Sequence, residues 1–189
     1  MKSSRSQARI EEAVRTILRE IGVNEDSEVF RNTPRRVYGM YSELFAGMNG
    51  DNEPGMTSFK NPGYRDILAI RAIPLYSMCE HHLLPIIGDV SIAYIPGERI
   101  VGLSKLPRTV KFFASRPQVQ ERLTREIADF LFNKLGAKGV MVFVRARHMC
   151  MEMRGARSFK SETISSAIRG SFEKNPETKD EALRLLVGS

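Results

Sequence analysis

GDVSIAYIP, residues 88–96, alternates large apolar side chains with smaller ones and so predicts a β-strand with two distinct faces. The preceding stretch DILAIRAIPLYS, residues 66–77, is also strand-like. Pro74 lies within it and indicates an edge position or a bulge, because proline cannot donate a hydrogen bond to a neighbouring strand. Two consecutive strands therefore open the central part of the chain.

The residues that follow change to a helical period and then back to strands. Helical spacing runs over residues 104–136, with a break between two helices expected at residues 116–117. Strand-like sequence returns over residues 137–153 and 161–172, and residues 178–188 predict a short closing helix. Strands separated by a helical pair indicate the α+β class, with helices on one face of an antiparallel sheet.

The N-terminal part is predicted to be helical. Apolar residues recur at three- and four-residue steps over residues 5–22. A second helix is expected to begin with Thr33 as its cap and Pro34 in its first position. The expected division is an N-terminal helical segment over residues 1–48, a loop or linker over residues 49–64 and a C-terminal domain over residues 65–189.

Size, charge and cysteine usage narrow the class of protein. The chain has 189 residues and a formal charge of +7 at pH 7, which suits one domain and an anionic partner such as nucleic acid, nucleotide or phosphate. No apolar run approaches the roughly 18–20 residues of a membrane span, and the N-terminus lacks the features of a signal peptide. The two cysteines are far apart in sequence and are expected to be reduced thiols of a cytoplasmic protein.

Every histidine and cysteine of the chain lies in one of two short segments. The donors are Cys79, His81 and His82 in MCEHHLLPI, residues 78–86, and His148 and Cys150 in RHMC, residues 147–150. On the predicted strand, His148 and Cys150 end an apolar row and point together. A single cysteine or histidine is most often a packing residue, but five donors in two segments favour a metal site.

The donor types favour zinc, because thiolates and imidazole select it over magnesium or calcium. The expected ligands are Cys79, Cys150 and one of the adjacent histidines, and the spacing leaves His81 and His82 equally open. Three protein ligands with a fourth position for water are typical of catalytic zinc. The pKa of such a water falls towards about 7, and the histidines not bound to metal, including His148, would be acid–base groups.

Groups suited to anions and purines accompany the donor segments. Ser104, Lys105 and Arg108 lie at the start of a predicted helix, where backbone N–H groups favour phosphate. Another helix start is expected in RPQVQERL, residues 116–123. A carboxylate there can accept hydrogen bonds from both N1–H and the exocyclic amine of guanine, although glutamine and glutamate are also ordinary residues of helix surfaces.

Three motifs are highly specific when taken together. CEHHLLPIIGDVSIAYIPGERIVGLSK, RPQVQERLT and RHMCMEMRG resemble the GTP cyclohydrolase I family, with similarity from about Thr33 to the C-terminus. The resemblance implies conversion of GTP and water to 7,8-dihydroneopterin triphosphate and formate, the first step of tetrahydrofolate- or tetrahydrobiopterin-type pterin synthesis. It also implies the tunnelling fold, an antiparallel four-stranded sheet with an inserted helical pair. The implied assembly is a toroidal homodecamer with sites at subunit boundaries.

The resemblance also implies roles for individual residues. Zinc would be held by Cys79, His82 and Cys150, which resolves the choice between the adjacent histidines. His148 would protonate the guanine imidazole while activated water attacks C8, and His81 would assist later proton transfers. The other matched residues are Ser104 for the ribose rearrangement, Gln120 and Glu121 for guanine, Lys105, Arg108 and Arg154 for the triphosphate, and Glu80, which positions its neighbours in the substrate site.

One position departs from the family pattern. After TPRR, many relatives carry a lysine that reaches a neighbouring subunit's triphosphate, where this chain has Gly39. Arg36 retains the adjacent basic position. Triphosphate affinity is therefore expected to be lower or supplied differently.

Two alternatives compete with this interpretation. A zinc-stabilised nucleic-acid-binding protein would use the positive charge and a fourth protein ligand. The basic residues accompany the donor segments rather than forming an aromatic-laced stripe, so no nucleic acid is expected as a partner, and no membrane either. A tunnelling-fold enzyme acting on another purine or pterin, or stopping at an earlier product, is the second alternative.

Overall fold

The computed structural model describes residues 4–48 and 53–188. Within them the chain forms seven α-helices, seven β-strands and one 3₁₀ turn. The helices are α1 (Ser4–Glu20), α2 (Glu28–Leu44), α3 (Lys105–Ala114), α4 (Gln120–Leu135), α5 (Met149–Glu152), α6 (Ser171–Lys174) and α7 (Pro176–Val187). The strands are β1 (Ser58–Lys60), β2 (Leu68–Cys79), β3 (Pro85–Ile95), β4 (Arg99–Val101), β5 (Pro117–Gln118), β6 (Gly139–His148) and β7 (Thr163–Gly170).

The main sheet has five strands in the order β5-β2-β3-β6-β7. The four long strands are antiparallel, as expected. The expectation of four strands in all is wrong, because β5 adds a two-residue parallel pair to the edge of β2. Such a pair is too short to show a period, and it occupies the break between the helices α3 and α4. The mixed α+β class is confirmed.

Strand β2 contains the bulge that its proline indicated. The pairing of β2 with β3 shifts register between Ile70 and Ile73, and Ala72 in that interval has a φ of 55°. Pro74 follows directly and lies opposite Asp89. A bulge bends the strand and increases its twist, so the half of β2 that carries Cys79 leaves the register of the first half.

Helices cover both faces of the sheet, which corrects the expectation of one covered face. On one side, buried residues of α3 and α4 such as Val110 and Ile127 pack with Val90 and Val142. On the other side, α6 and α7 contribute Phe172, Ala182 and Leu186 to a smaller cluster with Ala93 and Met141. The alternation of β3 and β6 supplies both clusters, because successive residues of a strand point to opposite faces.

Helix α2 begins earlier than Thr33. Ser27 is its N-cap, with its hydroxyl accepting a hydrogen bond from the Phe30 N–H at 3.1 Å. Pro34 is an interior residue of the helix and is buried. The Ser27 hydroxyl accepts from one of the free N–H groups of the first turn, and the Glu28 carboxylate interacts favourably with the helix dipole. The helix therefore starts there despite the proline.

The other departures concern the linker and the last strands. Residues 49–52 lie outside the described residues, but Ser58–Lys60, within the expected linker, forms β1 and pairs with β4. The strand expected over residues 137–153 ends at His148, and Cys150 lies in the helical turn α5 instead. Over the described ranges, no helix has the length and apolar character needed to cross a bilayer.

Candidate active site

The first donor segment is a tight turn between β2 and β3. The Cys79 N–H donates to the Leu84 carbonyl at 2.8 Å, and the Leu83 N–H donates to the Cys79 carbonyl at 2.8 Å. The Glu80 N–H donates to the Gln118 carbonyl of β5 at 3.0 Å. Leu83 closes the turn with a φ of 51°, a left-handed conformation that a leucine adopts only when its surroundings enforce it. The turn is therefore fixed by its backbone.

The second donor segment is the end of β6 and the helical turn that follows. His148 pairs with Ile86, next to the first residue of β3, and this register brings the two segments together. Glu152 closes the turn by accepting from Arg147 Nε at 2.9 Å and from the Lys160 N–H at 2.7 Å. The Glu152 side chain is only 8% exposed. The Glu152 carboxylate thus joins the end of β6 to the loop that follows α5.

Cys79, His82 and Cys150 form a candidate metal site. Their ligand atoms lie within 4.8 Å of one another, and Cys79 Sγ is 3.8 Å from His82 Nδ1. In a tetrahedral zinc site, sulfur and nitrogen ligands stand about 3.6 Å apart. Cys79 is buried, Cys150 is half-buried and His82 is exposed, so the group opens to solvent on the histidine side. The three residues could hold a metal.

The electrostatics of the two thiols also suit a cation. Burial, together with the adjacent Cys79 thiol, raises the pKa of Cys150, although Arg154 opposes the rise. Two neighbouring thiolates repel each other in a site of low dielectric. A bound cation reverses that balance, because metal ligation requires and stabilises the thiolate form.

His81 takes a different position from His82. Its Nδ1 is 3.9 Å from Cys79 Sγ, but its ring lies outside the group that unites both thiols. Its Nε2 is 3.7 Å from a carboxylate oxygen of Glu80, and its side chain is 62% exposed. The geometry thus unites His82, and not His81, with both cysteines.

His148 is held by a residue of the neighbouring helix. Its Nε2 lies 2.8 Å from Oε1 of Gln120, the first residue of α4. Burial lowers the pKa of His148, and the nearby Glu121 carboxylate partly opposes this. A half-buried imidazole with a lowered pKa is largely neutral near pH 7.

The two residues expected to read guanine differ in placement. The Gln120 side chain is buried, with its amide bonded inside the protein to Val144, Thr163 and Ser165. Glu121, the next residue, is exposed. Of these two residues, only Glu121 therefore presents its side chain to solvent.

Glu80 is tied to α4 by Arg122, a residue that the sequence analysis missed. Arg122 Nη2 donates to the Glu80 carboxylate and also to the Pro117 carbonyl at 3.1 Å, while Nε donates to Gln118 Oε1 at 3.0 Å. The hydrogen bond from Arg122 holds the pKa of Glu80 below its usual range. Nothing in the sequence singles out this arginine among the charges of an amphipathic helix.

Glu152 is a second residue that sequence reasoning missed. It lies within MCMEM, where a single carboxylate among apolar residues was an available signal of a buried ion pair. The Glu152 carboxylate pairs with Arg147, and this pairing holds the pKa of Glu152 below its usual range. Arg122 and Glu152 lie outside the metal group, but their hydrogen bonds hold the two donor segments in place.

The residues expected to contact phosphate are spread over several places. Ser104 is exposed at the N-cap of α3, and Lys105 begins that helix. Arg108 lines a cleft of about 330 Å³ with Lys111 and Phe112. None of the three metal-site residues lines that cleft.

Arg36 and Arg154 are both exposed. Arg36 lines a separate cleft between α1 and α2 with Arg31 and Arg35. Arg154 follows α5, two residues after Glu152. The described residues of one chain thus bring the metal-site donors together, but they leave the basic residues in separate places.

Comparisons with known proteins agree with the motifs. The family model described as GTP cyclohydrolase I matches residues 10–187. A protein of Pelotomaculum thermopropionicum named GTP cyclohydrolase 1 is 46% identical over 183 residues, which cover 96% of this chain and 97% of that protein. Proteins of the same name from Carboxydothermus hydrogenoformans and Aquifex aeolicus are 48% and 49% identical, covering 94% and 95% of this chain and 93% and 96% of those proteins.

A solved structure is also similar over part of the chain. It is the archaeosine synthase QueF-Like in the apo form, with a TM-score of 0.46 and 16% identity, and the match covers 58% of this chain and 97% of that one. The family assignment depends instead on the family model and the curated relatives, which extend over nearly the whole length. On that evidence, the chain belongs to the GTP cyclohydrolase I family.

Proposed function

We propose that this protein converts GTP and water to 7,8-dihydroneopterin triphosphate and formate in a zinc-dependent reaction, the first step of a tetrahydrofolate- or tetrahydrobiopterin-type pterin synthesis. The observation that carries the proposal is the convergence of Cys79, His82 and Cys150 beside the turn that ends β6, in a chain of this family. The tunnelling fold expected from the sequence is part of the same proposal, and the antiparallel β2-β3-β6-β7 sheet supports it.

Zinc is the metal that fits the three donors best. Two thiols and an imidazole form a soft ligand set, which disfavours magnesium and calcium. With three protein ligands, a bound zinc ion would supply Lewis acidity and lower the pKa of a water in its fourth position to about 7. The exposed side of His82 leaves room for that fourth position.

The histidines outside the metal group would move protons. His148 would first take up a proton and then give it to the imidazole ring of guanine during ring opening, and its lowered pKa makes the protonated ring a stronger acid. His81, exposed and adjacent to Glu80, would serve the later proton transfers. Ser104, exposed at the start of α3, would assist the rearrangement of the ribose.

Substrate recognition would combine a carboxylate with a set of basic residues. Glu121 is the exposed residue suited to accept from N1–H and the amine of guanine, while Gln120 supports it from the interior. Glu80 would position His81 rather than bind metal. The triphosphate would be bound by Lys105, Arg108, Arg154 and Arg36.

Separate placement of these basic residues supports an assembly with sites at subunit boundaries. Exposed apolar side chains of the kind that cover interfaces accompany the site, including Tyr76 at 67% and Phe159 at 73% exposure. A homodecamer is the proposed assembly, and light scattering coupled to gel filtration would measure it. The two free thiols suit a cytoplasmic location.

Product analysis tests the function directly. The purified protein, with its metal content measured, is incubated with GTP, and the products are identified by mass spectrometry. The proposal expects formate and 7,8-dihydroneopterin triphosphate, with about one zinc per chain. ATP is the matched control, because adenine lacks the N1–H and the 2-amino group that Glu121 would bind. A ring-opened or cyclic-phosphate end product from GTP would contradict the proposal.

A further inference from the structure

Gln120 occupies an unusual position for a polar side chain at the start of a helix. It is 1% exposed, and its carboxamide lies between β6, β7 and His148. Its Oε1 is 2.8 Å from His148 Nε2. Its Nε2 is 2.9 Å from the Thr163 carbonyl, 3.0 Å from Ser165 Oγ and 3.3 Å from the Val144 carbonyl.

These partners fix which end of the amide faces the histidine. The carbonyls of Thr163 and Val144 can only accept hydrogen bonds, so the NH₂ group must face them. A flipped amide would place its oxygen against two carbonyl oxygens in a buried site, at the cost of unsatisfied polar groups. The Gln120 oxygen therefore faces His148.

The orientation of the amide fixes the hydrogen on the imidazole as well. Because Oε1 only accepts, His148 Nε2 must carry the hydrogen and donate it. Nε2 carries it whether the ring is neutral or charged. Nδ1 is then the ring nitrogen that Gln120 does not contact.

We propose that Gln120 is a positioning residue of the reaction, whose Oε1 accepts a hydrogen bond from His148 Nε2 and so holds the imidazole ring in one orientation. This inference depends on the catalytic role of His148 in the proposed function. It assigns the Gln120 side chain to the histidine and not to guanine.

A closed set of hydrogen bonds keeps Gln120 in place. Its Nε2 donates to Ser165 Oγ, Ser165 and Thr124 share a hydrogen bond of 2.7 Å, and the Thr124 hydroxyl donates to the Gln120 carbonyl at 2.7 Å. Thr124 is itself buried. These hydrogen bonds join the first turn of α4 to β7. Two elements of the fold therefore orient the Gln120 amide before any substrate binds.

Two variants of the full-length metal-loaded enzyme separate positioning from stability. Gln120→Met keeps the size of the side chain but removes the acceptor, and we expect kcat to fall roughly tenfold to a hundredfold, by analogy with the loss when the hydrogen-bond partner of a metal-binding histidine is removed. KM for GTP and zinc content should stay unchanged. Gln120→Glu keeps an oxygen towards His148 but places a carboxyl oxygen against two carbonyls. We expect it to have the lower Tm of the two variants and the higher kcat.

Ser77→Ala is the matched control. It removes one buried hydrogen bond, from Ser77 Oγ to the Ala114 carbonyl at 2.8 Å, between β2 and α3. We expect it to lower Tm and to leave kcat per bound zinc unchanged. Opposite rankings of Tm and kcat in the Gln120 variants are the signature of positioning, because a purely structural residue would lose both together.

Other outcomes would overturn the inference. Full kcat in Gln120→Met would assign Gln120 to packing. A raised KM for GTP with unchanged kcat in either variant would assign it to guanine binding. If Gln120→Met fails to fold, Gln120→Glu decides alone through the same split between kcat and KM. Failure of the wild-type protein to form 7,8-dihydroneopterin triphosphate would instead contradict the proposed function, so the two failures are distinct.

Discussion

Two regions of the molecule differ in how much of a site a single chain provides. They are the end of the sheet that carries the two donor segments and the N-terminal helices α1 and α2. At the sheet end, Cys79, His82 and Cys150 converge within 4.8 Å, and each donor segment has its own restraints. On α1 and α2, Arg36 lies in a cleft with other arginines, away from the donors. Apolar side chains of these helices are also exposed, such as Ile17 of α1 at 59%.

The contrast separates chemistry from substrate capture. Groups that must meet within a few ångströms lie on paired strands and on the turn and helix that those strands support, where register fixes distances. The residues proposed to bind the long, flexible triphosphate tolerate wider spacing, and they lie on α2, at the start of α3 and just after α5. The following changes test this separation, from the metal outward.

Loss of a thiol ligand should have the largest effect. Cys150→Ser replaces a thiolate with a hydroxyl that zinc binds poorly, so we expect loss of both stoichiometric zinc and all turnover. Metal analysis and product formation measure the two losses. Met151→Leu, one residue away and exposed, is the control and should keep both. A metal-free Cys150→Ser protein with full activity would refute a metal-dependent reaction.

Removal of the proposed acid should separate chemistry from metal binding. His148→Ala takes away a proton donor that lies outside the Cys79–His82–Cys150 group, so zinc should stay bound while ring opening slows by about 10²–10⁴-fold, the usual contribution of such a group. Mass spectrometry of the products measures ring opening through the loss of GTP and the appearance of the ring-opened formamide, and formate release measures the hydrolysis that follows. Loss of zinc in this variant would show instead that His148 takes part in holding the metal.

Weakening the support of the second donor segment should have a smaller effect that depends on pH. Arg147 and the Lys160 N–H hold the pKa of Glu152 below its usual range. A carboxylate whose pKa is lowered on folding contributes stability above its ordinary pKa of about 4.3, and that stability is lost as pH falls through the folded value. Wild type should therefore exceed Glu152→Gln in Tm at neutral pH, and the difference should close in acid.

Thermal unfolding followed from neutral to acid pH measures this difference. Glu181→Gln, at an exposed position of α7, is the control and should match wild type throughout. A constant Tm difference between wild type and Glu152→Gln would mean that packing, and not the ion pair, holds the turn.

The strands and helices around the donor segments could be predicted from the periodicity of the sequence, but the points where they begin and end could not. Alternation in β3 and helical spacing in α4 are local properties of the chain. The end of β6 is not, because its pairing with β3 ends at Ile86–His148, next to the start of β3, and Cys150 beyond it turns into a helix. The burial of Gln120 likewise depends on β7, more than 40 residues away, which no local pattern reveals.

Candidate ligands were easier to find than the residues behind them. Cysteine and histidine are rare in this chain, so their confinement to two segments stands out. Arginine and glutamate are common, and Arg122 differs from its neighbours only through its contact with Glu80 in the folded protein. The cysteines and histidines could be recognised by their rarity, whereas site residues of common types, such as Glu121 and Arg154, could be recognised only through the motifs of the family.

The smallest effect is expected at Gly39, where α2 departs from the family pattern. A Cβ atom there would meet nothing within 4 Å, so an alanine fits. Gly39→Ala should raise stability by roughly 0.5–1 kcal/mol, because glycine weakens a helix interior. Gly39→Lys should bring nearly the same gain in helix stability, and it also adds a positive charge. If α2 contributes to triphosphate binding, only the lysine variant should lower KM for GTP. Equal KM values in the two variants would mean that the N-terminal pair does not reach the substrate, and would limit phosphate binding to the basic residues near the sheet end.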